Sequence, residues 1–444
     1  MTAPRAQWGS KVGFILAAAG SAVGLGNLWK FPYVAGENGG GVFILAYLVC
    51  VIFVGVPLMA GEIIIGRATQ KSPVGAIQAL THKGSFWTSF GWLSVAAASS
   101  LLSYYSVIAG WAMYYAYLAV TGGLTTAGTV YGDVFSQTVA SGGLSLSWHL
   151  AFMGLTIAVV LGGVSNGLDR WSRILMPSLL VMLAGLVVRS YFLEGFSAGL
   201  DFSVGIRPEE FAASSMLAAL GQAFFSLSIG MGTMLTYGSY LKRDDDIMGS
   251  TLQICALDTI VALLACLVIF PIIFTYPELS PAQGPGLLFA SIPTGMSQMP
   301  FAGLLMTVFF FLLVFAALTS AISLLEVPVS FLIDRFGWER RKAAAVAGTA
   351  IFLYGVPSAL GGVEGGAFFG FLDQLDYIVS NFMFPLGGIG LSLFVGWRMP
   401  DEIRHDHFLS GSKFKVFYNV WLTLLRFVVP FGIAVVFLNA IGVV

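Results

Sequence analysis

Eleven stretches of mostly apolar residues divide the chain, centred near residues 22, 53, 105, 157, 183, 228, 263, 317, 352, 385 and 429. Each approaches the roughly 20 residues that a helix needs to cross a bilayer. Polar or Gly/Pro-rich segments separate them, the longest at 123–147, 190–210, 276–300 and 399–414. Two stretches interrupt themselves. The first reads Phe14-Ile-Leu-Ala-Ala-Ala-Gly20-Ser-Ala-Val-Gly24-Leu-Gly26-Asn27-Leu-Trp-Lys30-Phe31-Pro32, with glycines, Ser21, Asn27 and Lys30 where lipid tails belong. The sixth reads Gly221-Gln-Ala-Phe-Phe-Ser-Leu-Ser228-Ile-Gly230-Met-Gly232. Unwound backbone at membrane depth survives only when protein encloses it or it lines a wet cavity. Its ends offer free carbonyls to cations and free N–H groups to a carboxylate. An offset of five spans starts the second copy on the opposite side of the membrane. The pattern therefore predicts one domain, 1–444, made of two inverted halves, 8–195 and 209–400, with an eleventh span at 414–442 outside the repeat.

Composition agrees. Of 444 residues, 57% are hydrophobic and only 10% charged, against about 25% charged in soluble domains. An all-α polytopic membrane protein is expected, and nothing in the charge pattern suggests nucleic acid. With the N-terminus in the cytoplasm, most Lys and Arg lie inside, including Arg67, Arg170, Lys242, Arg243, Arg335, Arg340, Arg398 and Lys413. The outer segments 123–147, 276–300 and 361–371 carry none. This asymmetry predicts residence in the plasma (inner) membrane with the N-terminus in and the C-terminus out. Cys50, Cys255 and Cys266 lie in apolar runs and read as buried thiols. His405 and His407 read as solvated loop residues. The first apolar run lacks a cleavage pattern and reads as a resident helix. No nucleophile–base pair or His cluster lies in the spans, so catalysis is not expected.

Trp8, the run Gly20–Asn27 with Phe31-Pro32, Glu37-Asn-Gly-Gly-Gly41, and Gly221-Gln with Phe224-Phe-Ser-Leu-Ser228 resemble the neurotransmitter:sodium symporter family. The likeness covers nearly the whole chain and is strongest to the bacterial eleven-helix transporters of hydrophobic amino acids. The resemblance implies a five-plus-five inverted repeat with broken helices 1 and 6, alternating access, and Na⁺ as the coupling ion. It places one sodium site at the carbonyls of Gly20, Val23 and Ala316 with the hydroxyls of Thr319 and Ser320. A hard cation suits such neutral oxygens. The other site takes Ala22, Asn27, Ser226 and Asp258, and is completed by the substrate carboxylate. Asp258 stands where better-known members carry Asn, and a mid-bilayer carboxylate is a functional candidate by default. Chloride-dependent relatives bind the anion near the positions of Tyr47, Gln222 and Ser226. The fixed charge of Asp258 could replace it, because a further position that carries a carboxylate in some bacterial members is Ala262 here. Two Na⁺ and no chloride are expected.

The same resemblance gives a substrate pocket. Gly24 stands where the monoamine branch has an Asp, which leaves room for an α-carboxylate at the N–H groups of Leu25 and Gly26 and the hydroxyl of Tyr105. The amine meets the carbonyls of Ser21, Phe225 and Ser228, while Ala22 and Ser226 border both the substrate and its sodium. Leu101, Phe225, Met231, Leu324 and Ser320 line the side-chain cavity. That lining fits aliphatic L-amino acids and, through the pliant Met231, aromatic ones. Lys30 and Asp376 resemble an outer gate pair; most relatives have Arg at the first position. Arg5 and Asp334 resemble an inner pair, supported by Trp8, Tyr240 and Glu326. Glu62 reads as a tie between helices. Gly167 and Pro177 resemble the element of the fifth span that unwinds to admit water to the Gly20/Thr319 site. The function implied is Na⁺-coupled symport of hydrophobic L-amino acids, by a monomer or homodimer in the lipid bilayer. A non-transporting amino-acid sensor on the same fold is the alternative.

Overall fold

The computed structural model describes residues 5–82, 84–207, 209, 212–279 and 285–442, and among them the regular structure is helical, without strands. Among the described residues nine helices are long and apolar enough to span a bilayer: α2 (Gly41–Thr69), α3 (Thr88–Thr121), α4 (Gly142–Leu161), α5 (Val164–Tyr191), α7 (Ile247–Thr275), α8 (Ala302–Phe336), α9 (Arg340–Leu360), α10 (Phe371–Arg398) and α11 (Lys415–Ala440). A tenth span, α1, is a broken pair, Lys11–Ala22 and Gly26–Glu37, bent by 52°. The remaining predicted span, α6, is also in two pieces, Ala213–Ser226 and Thr233–Gly238. Each piece is too short to span alone, so length and composition yield ten spans where the hydropathy pattern predicts eleven.

Burial separates core helices from lipid-facing ones. α3 and α8 pack along each other at the centre. The most apolar window of α8 is 83% buried, against 22% for α11, which fits an eleventh helix lying at the edge. The four long connecting segments are not plain loops. They fold into Tyr131–Ala140, Phe196–Val204, Leu287–Ser297 and Asp401–Leu409. The helix Asp401–Leu409 corrects the solvated reading of His407. Its ring is half-buried and its Nδ1 accepts from Arg67 Nε at 3.3 Å. Burial and the adjacent guanidinium pull His407 below the usual histidine range, so it is predominantly neutral at pH 7. His405 is exposed, as expected.

Candidate functional site

The break in α1 follows from redirected hydrogen bonds. Val23 is extended (φ −71°, ψ 103°). In an unbroken helix, Gly24 N–H would reach Gly20 O and Leu25 N–H would reach Ser21 O. Instead Gly24 N donates to Asn27 Oδ1 (3.1 Å) and Leu25 N to the Tyr105 hydroxyl (3.3 Å). The carbonyls thus released point into protein. Ser228 Oγ donates to Ser21 O at 2.9 Å. Ser320 Oγ lies 3.4, 3.2 and 3.3 Å from the carbonyls of Gly20, Ser21 and Val23. One hydroxyl has one proton, so three converging carbonyls leave acceptors in excess. Beside it, Thr319 Oγ1 is 3.0 Å from Ala316 O. Such a nest of neutral oxygens offers a small hard cation most of its shell.

The α6 break uses left-handed backbone. Gly230 (φ 85°) and Gly232 (φ 74°) tolerate it; Ser228 (φ 52°) adopts it despite its side chain, a conformation that persists where surroundings over-determine it. Here they do. Ser228 Oγ is tied to Ser21 O, and Ser228 O accepts from Thr233 Oγ1 at 2.7 Å. Glu62 of α2 accepts from Gly230 N at 2.6 Å, so it ties α2 to the broken end of α6.

Between the breaks lies a single buried carboxylate with its donors. Asp258 is fully buried. It accepts from Asn27 Nδ2 (2.7 Å), Ser226 Oγ (2.7 Å) and the Tyr47 hydroxyl (3.0 Å). The α1 break, α2, α6 and α7 are thereby drawn to one point.

Next to both groups lie the residues expected to line the substrate pocket, closely packed. A Cβ on Gly24 would meet Ser320 Oγ at 2.7 Å and Tyr105 Oη at 3.0 Å, and one on Gly26 would meet the Phe225 ring at 2.6 Å. Neither glycine can carry a side chain without displacing these groups. Leu101, Met231 and Leu324 are buried, and Phe225 is half-buried.

The face on which the chain begins is latched. Arg5 Nη1 pairs with Asp334 Oδ1 at 2.6 Å, Arg5 Nε donates to Ser239 Oγ at 3.0 Å, and its guanidinium stacks over Tyr240. Trp8 Nε1 donates to Tyr237 O at 3.0 Å. The Tyr240 hydroxyl donates to Glu326 Oε1 at 2.5 Å. The other Glu326 oxygen takes Arg340 of α9, a partner that sequence reading missed. Arg340 sits in the basic run Arg340-Arg341-Lys342, which reads as a solvated helix start. The Gly167–Pro177 run is helical throughout, with Arg173 bonded to Asp169 (2.7 Å) and to Ser10 Oγ (2.8 Å). Removing one partner of a buried ion pair costs about 3–5 kcal/mol. Arg340→Ala should therefore loosen this face, read as faster amide hydrogen exchange over residues 5–14. Unchanged exchange would make Arg340 a bystander.

The opposite face differs from expectation. Lys30 and Asp376 do not form an ion pair. Lys30 Nζ lies 4.4 Å over the centre of the Phe225 ring, while Asp376 accepts from the Tyr104 hydroxyl (2.8 Å) and Ser380 Oγ (3.2 Å). The physical reason is separation. Lys30 and Ser380, one turn beyond Asp376, both line a cavity of about 330 Å³ that lies between α1 and α10.

Among the described residues no cluster of three or more His, Cys, Asp or Glu could hold a metal. Residues 5–131 and 132–443 match the model of the sodium:neurotransmitter symporter family. An uncharacterized sodium-dependent transporter of Bacillus subtilis is 40% identical over 443 residues, 98% of each chain. Another, of Methanocaldococcus jannaschii, is 35% identical over 461 residues, 99% of this chain and 91% of its own. The crystal structure of MhsT in complex with L-phenylalanine is 40% identical, with a TM-score of 0.90 over 98% of this chain and 100% of that one. Two broken helices meeting at a nest of freed carbonyls, in a chain matched along nearly its whole length, make this protein a membrane transporter of the sodium:neurotransmitter symporter family and not an enzyme.

Proposed function

We propose that the protein carries hydrophobic L-amino acids, aliphatic and aromatic, together with two Na⁺ and without chloride. The observation that carries this reading is the convergence of the two breaks. Three α1 carbonyls converge on the Ser320 hydroxyl, which packs with the Tyr105 hydroxyl against Gly24 where no side chain could stand. One Na⁺ takes the carbonyls of Gly20, Val23 and Ala316 with Thr319 and Ser320. The other takes Ala22, Asn27, Ser226 and Asp258 and touches the substrate carboxylate. That carboxylate displaces Leu25 N from Tyr105 and accepts from Leu25, Gly26 and the tyrosine hydroxyl. The ammonium lies against the carbonyls of Ser21, Phe225 and Ser228. The buried Leu101, Met231 and Leu324 favour an apolar side chain, and the phenylalanine bound to MhsT supports the aromatic extension.

In this reading the two inverted halves are 8–195 and 209–400, with residues 414–442 outside them. The Arg5–Asp334 face is cytoplasmic, and the C-terminus lies outside. The latched inner face, the wound α5 and the unpaired Lys30 and Asp376 then describe a transporter closed inside and not yet locked outside. Pairing of Lys30 with Asp376 over Phe225 completes occlusion; loss of Na⁺ to the cytoplasm drives release.

Uptake of labelled amino acids by proteoliposomes, with and without a Na⁺ gradient, tests the proposal. Concentrative, Na⁺-dependent uptake of leucine and phenylalanine is expected; binding without accumulation would mean a sensor. Tyr105→Phe keeps the ring and deletes the donor. A hydrogen bond to a charged group is worth about 1.5–3 kcal/mol, so apparent leucine affinity should fall roughly ten- to a hundredfold. Wild-type affinity in that variant would refute the carboxylate pose.

A further inference from the structure

Lys11–Ala22, the half of α1 that follows the Arg5 latch, packs on α8. Small residues meet there: Ala17, Ala18 and Ala19 of α1 and Ala316, Ala317 and Ala321 of α8 are all buried. A Cβ on Gly20 would stand 3.1 Å from Thr319 Cβ. Such surfaces let two helices approach closely but bury little side chain to hold them together. Direct hydrogen bonds therefore weigh more. Ser320 supplies one set, to the freed α1 carbonyls. Ser323, one turn nearer Asp334, belongs to neither proposed sodium site. Ser21 Oγ donates to Ser323 Oγ at 2.6 Å, and Ser323 Oγ donates in turn to Ser320 O at 2.8 Å. Both serines are 1% exposed. The Tyr237 hydroxyl also reaches Ser323, and Tyr237 O takes Trp8 beside the latch. A serine inside a helix can turn its hydroxyl back to the carbonyl four residues earlier; Ser21 instead crosses to α8. Beyond Ser323, the described residues of α8 give this half of α1 no further hydrogen bond. The next tie is Arg5 to Asp334, about 16 Å further along α8 at 1.5 Å per residue.

We propose that Ser323 is a positioning residue of the transport cycle: its bond to Ser21 ties α1 to α8 independently of the ion, and sets how readily this half of α1 parts from α8. In the reading above, that separation opens the path by which Na⁺ and substrate reach the cytoplasm. The ion links the same two helices through Gly20, Val23, Thr319 and Ser320, and that link is lost with the ion. The Ser21–Ser323 bond stays, and with the Arg5–Asp334 pair it holds the half-helix at both ends. The tie itself needs neither sodium nor amino acid; only its part in release rests on the proposed function.

The test reads amide hydrogen exchange over residues 11–22 of the full chain in nanodiscs, with and without Na⁺, beside Na⁺-driven leucine uptake in proteoliposomes. Ser323→Ala leaves Ser21 free to turn to Ala17 O, so no donor of α1 is stranded. The net strength of an ordinary neutral hydrogen bond corresponds to a factor of about three to ten. Exchange should quicken by that factor in both conditions, so the protection that Na⁺ confers keeps its wild-type ratio. Thr319→Ala should lose that ratio. Exchange over residues 88–121 of α3 should not change. Ser21→Ala deletes the other hydroxyl and leaves Tyr237 with Ser323; it should also quicken exchange over 11–22, and the double variant should not exceed Ser323→Ala. Uptake by Ser323→Ala should show a higher Vmax with the Na⁺ half-saturation essentially unchanged. Wild-type exchange in both single variants, or additive effects in the double, would make the contact incidental and overturn the proposal. Faster exchange in α3 as well would reduce it to a general loss of stability and overturn it too. Faster exchange confined to α1 with Vmax unchanged would overturn the part in release. Absence of Na⁺-dependent uptake in the wild type, with exchange behaving as stated, would refute the proposed function and uphold the tie.

Discussion

Asp258→Asn is expected to raise the Na⁺ concentration needed for half-maximal uptake on the order of a hundredfold, while wild-type uptake stays the same when gluconate replaces chloride. Asp258 is the fixed negative charge at the meeting point of α1, α2, α6 and α7, with three donors aimed at it: Asn27, Ser226 and Tyr47. The family resemblance puts Tyr47 and Ser226 where chloride-dependent relatives hold the anion, and here both donate to the Asp258 carboxylate. A unit charge about 4 Å from a cation is worth about 4 kcal/mol at an effective dielectric of 20. Water entering the variant site recovers part of that, which leaves about 2–3 kcal/mol and the factor stated. Asparagine also presents an N–H₂ where an acceptor stood, so at least one of the three donors must turn away. Chloride should partly restore the variant, because Tyr47 and Ser226 then regain an anion to donate to; Ala262 limits the recovery by supplying no further oxygen. Loss of wild-type uptake in gluconate would show that Asp258 does not replace chloride.

The second large effect is at α8. Thr319→Ala and Ser320→Ala each remove one hydroxyl from the nest around the freed α1 carbonyls. A lost ligand to a dehydrated ion costs about 1.5–3 kcal/mol, so each variant should need roughly ten to a hundred times more Na⁺. The double variant should show no saturation in the accessible range. Ser320→Ala carries a second signature. Its hydroxyl also touches Ser21 O at 3.2 Å and stands 2.7 Å from where a Gly24 Cβ would lie. Substrate affinity should therefore fall with it, whereas Thr319→Ala should affect Na⁺ alone. Normal Na⁺ dependence in the double variant would remove this cation site.

The sequence by itself determined the class, the number of apolar segments and the two helix breaks. Length and hydropathy decide which segments a bilayer accepts, and glycines beside Ser21, Asn27 and Ser228 break a helix wherever it lies. It also marked Asp258, Glu62 and Glu326, because a carboxylate in an apolar run is conspicuous without any structure. Contacts between spans distant in the chain were decided only by the tertiary structure. Arg340 reaches Glu326 from a basic run that looks solvated, and Tyr104, the neighbour of the expected Tyr105, takes Asp376. Lys30 turns to Phe225 in place of its expected partner, and Gln222 finds no hydrogen-bond partner among the described residues. Helical periodicity assigns each residue a face, but the rotation and separation of neighbouring helices decide what that face meets. Whether Lys30 meets Asp376 or Phe225 is therefore decided by how α1 and α10 sit, which periodicity does not report.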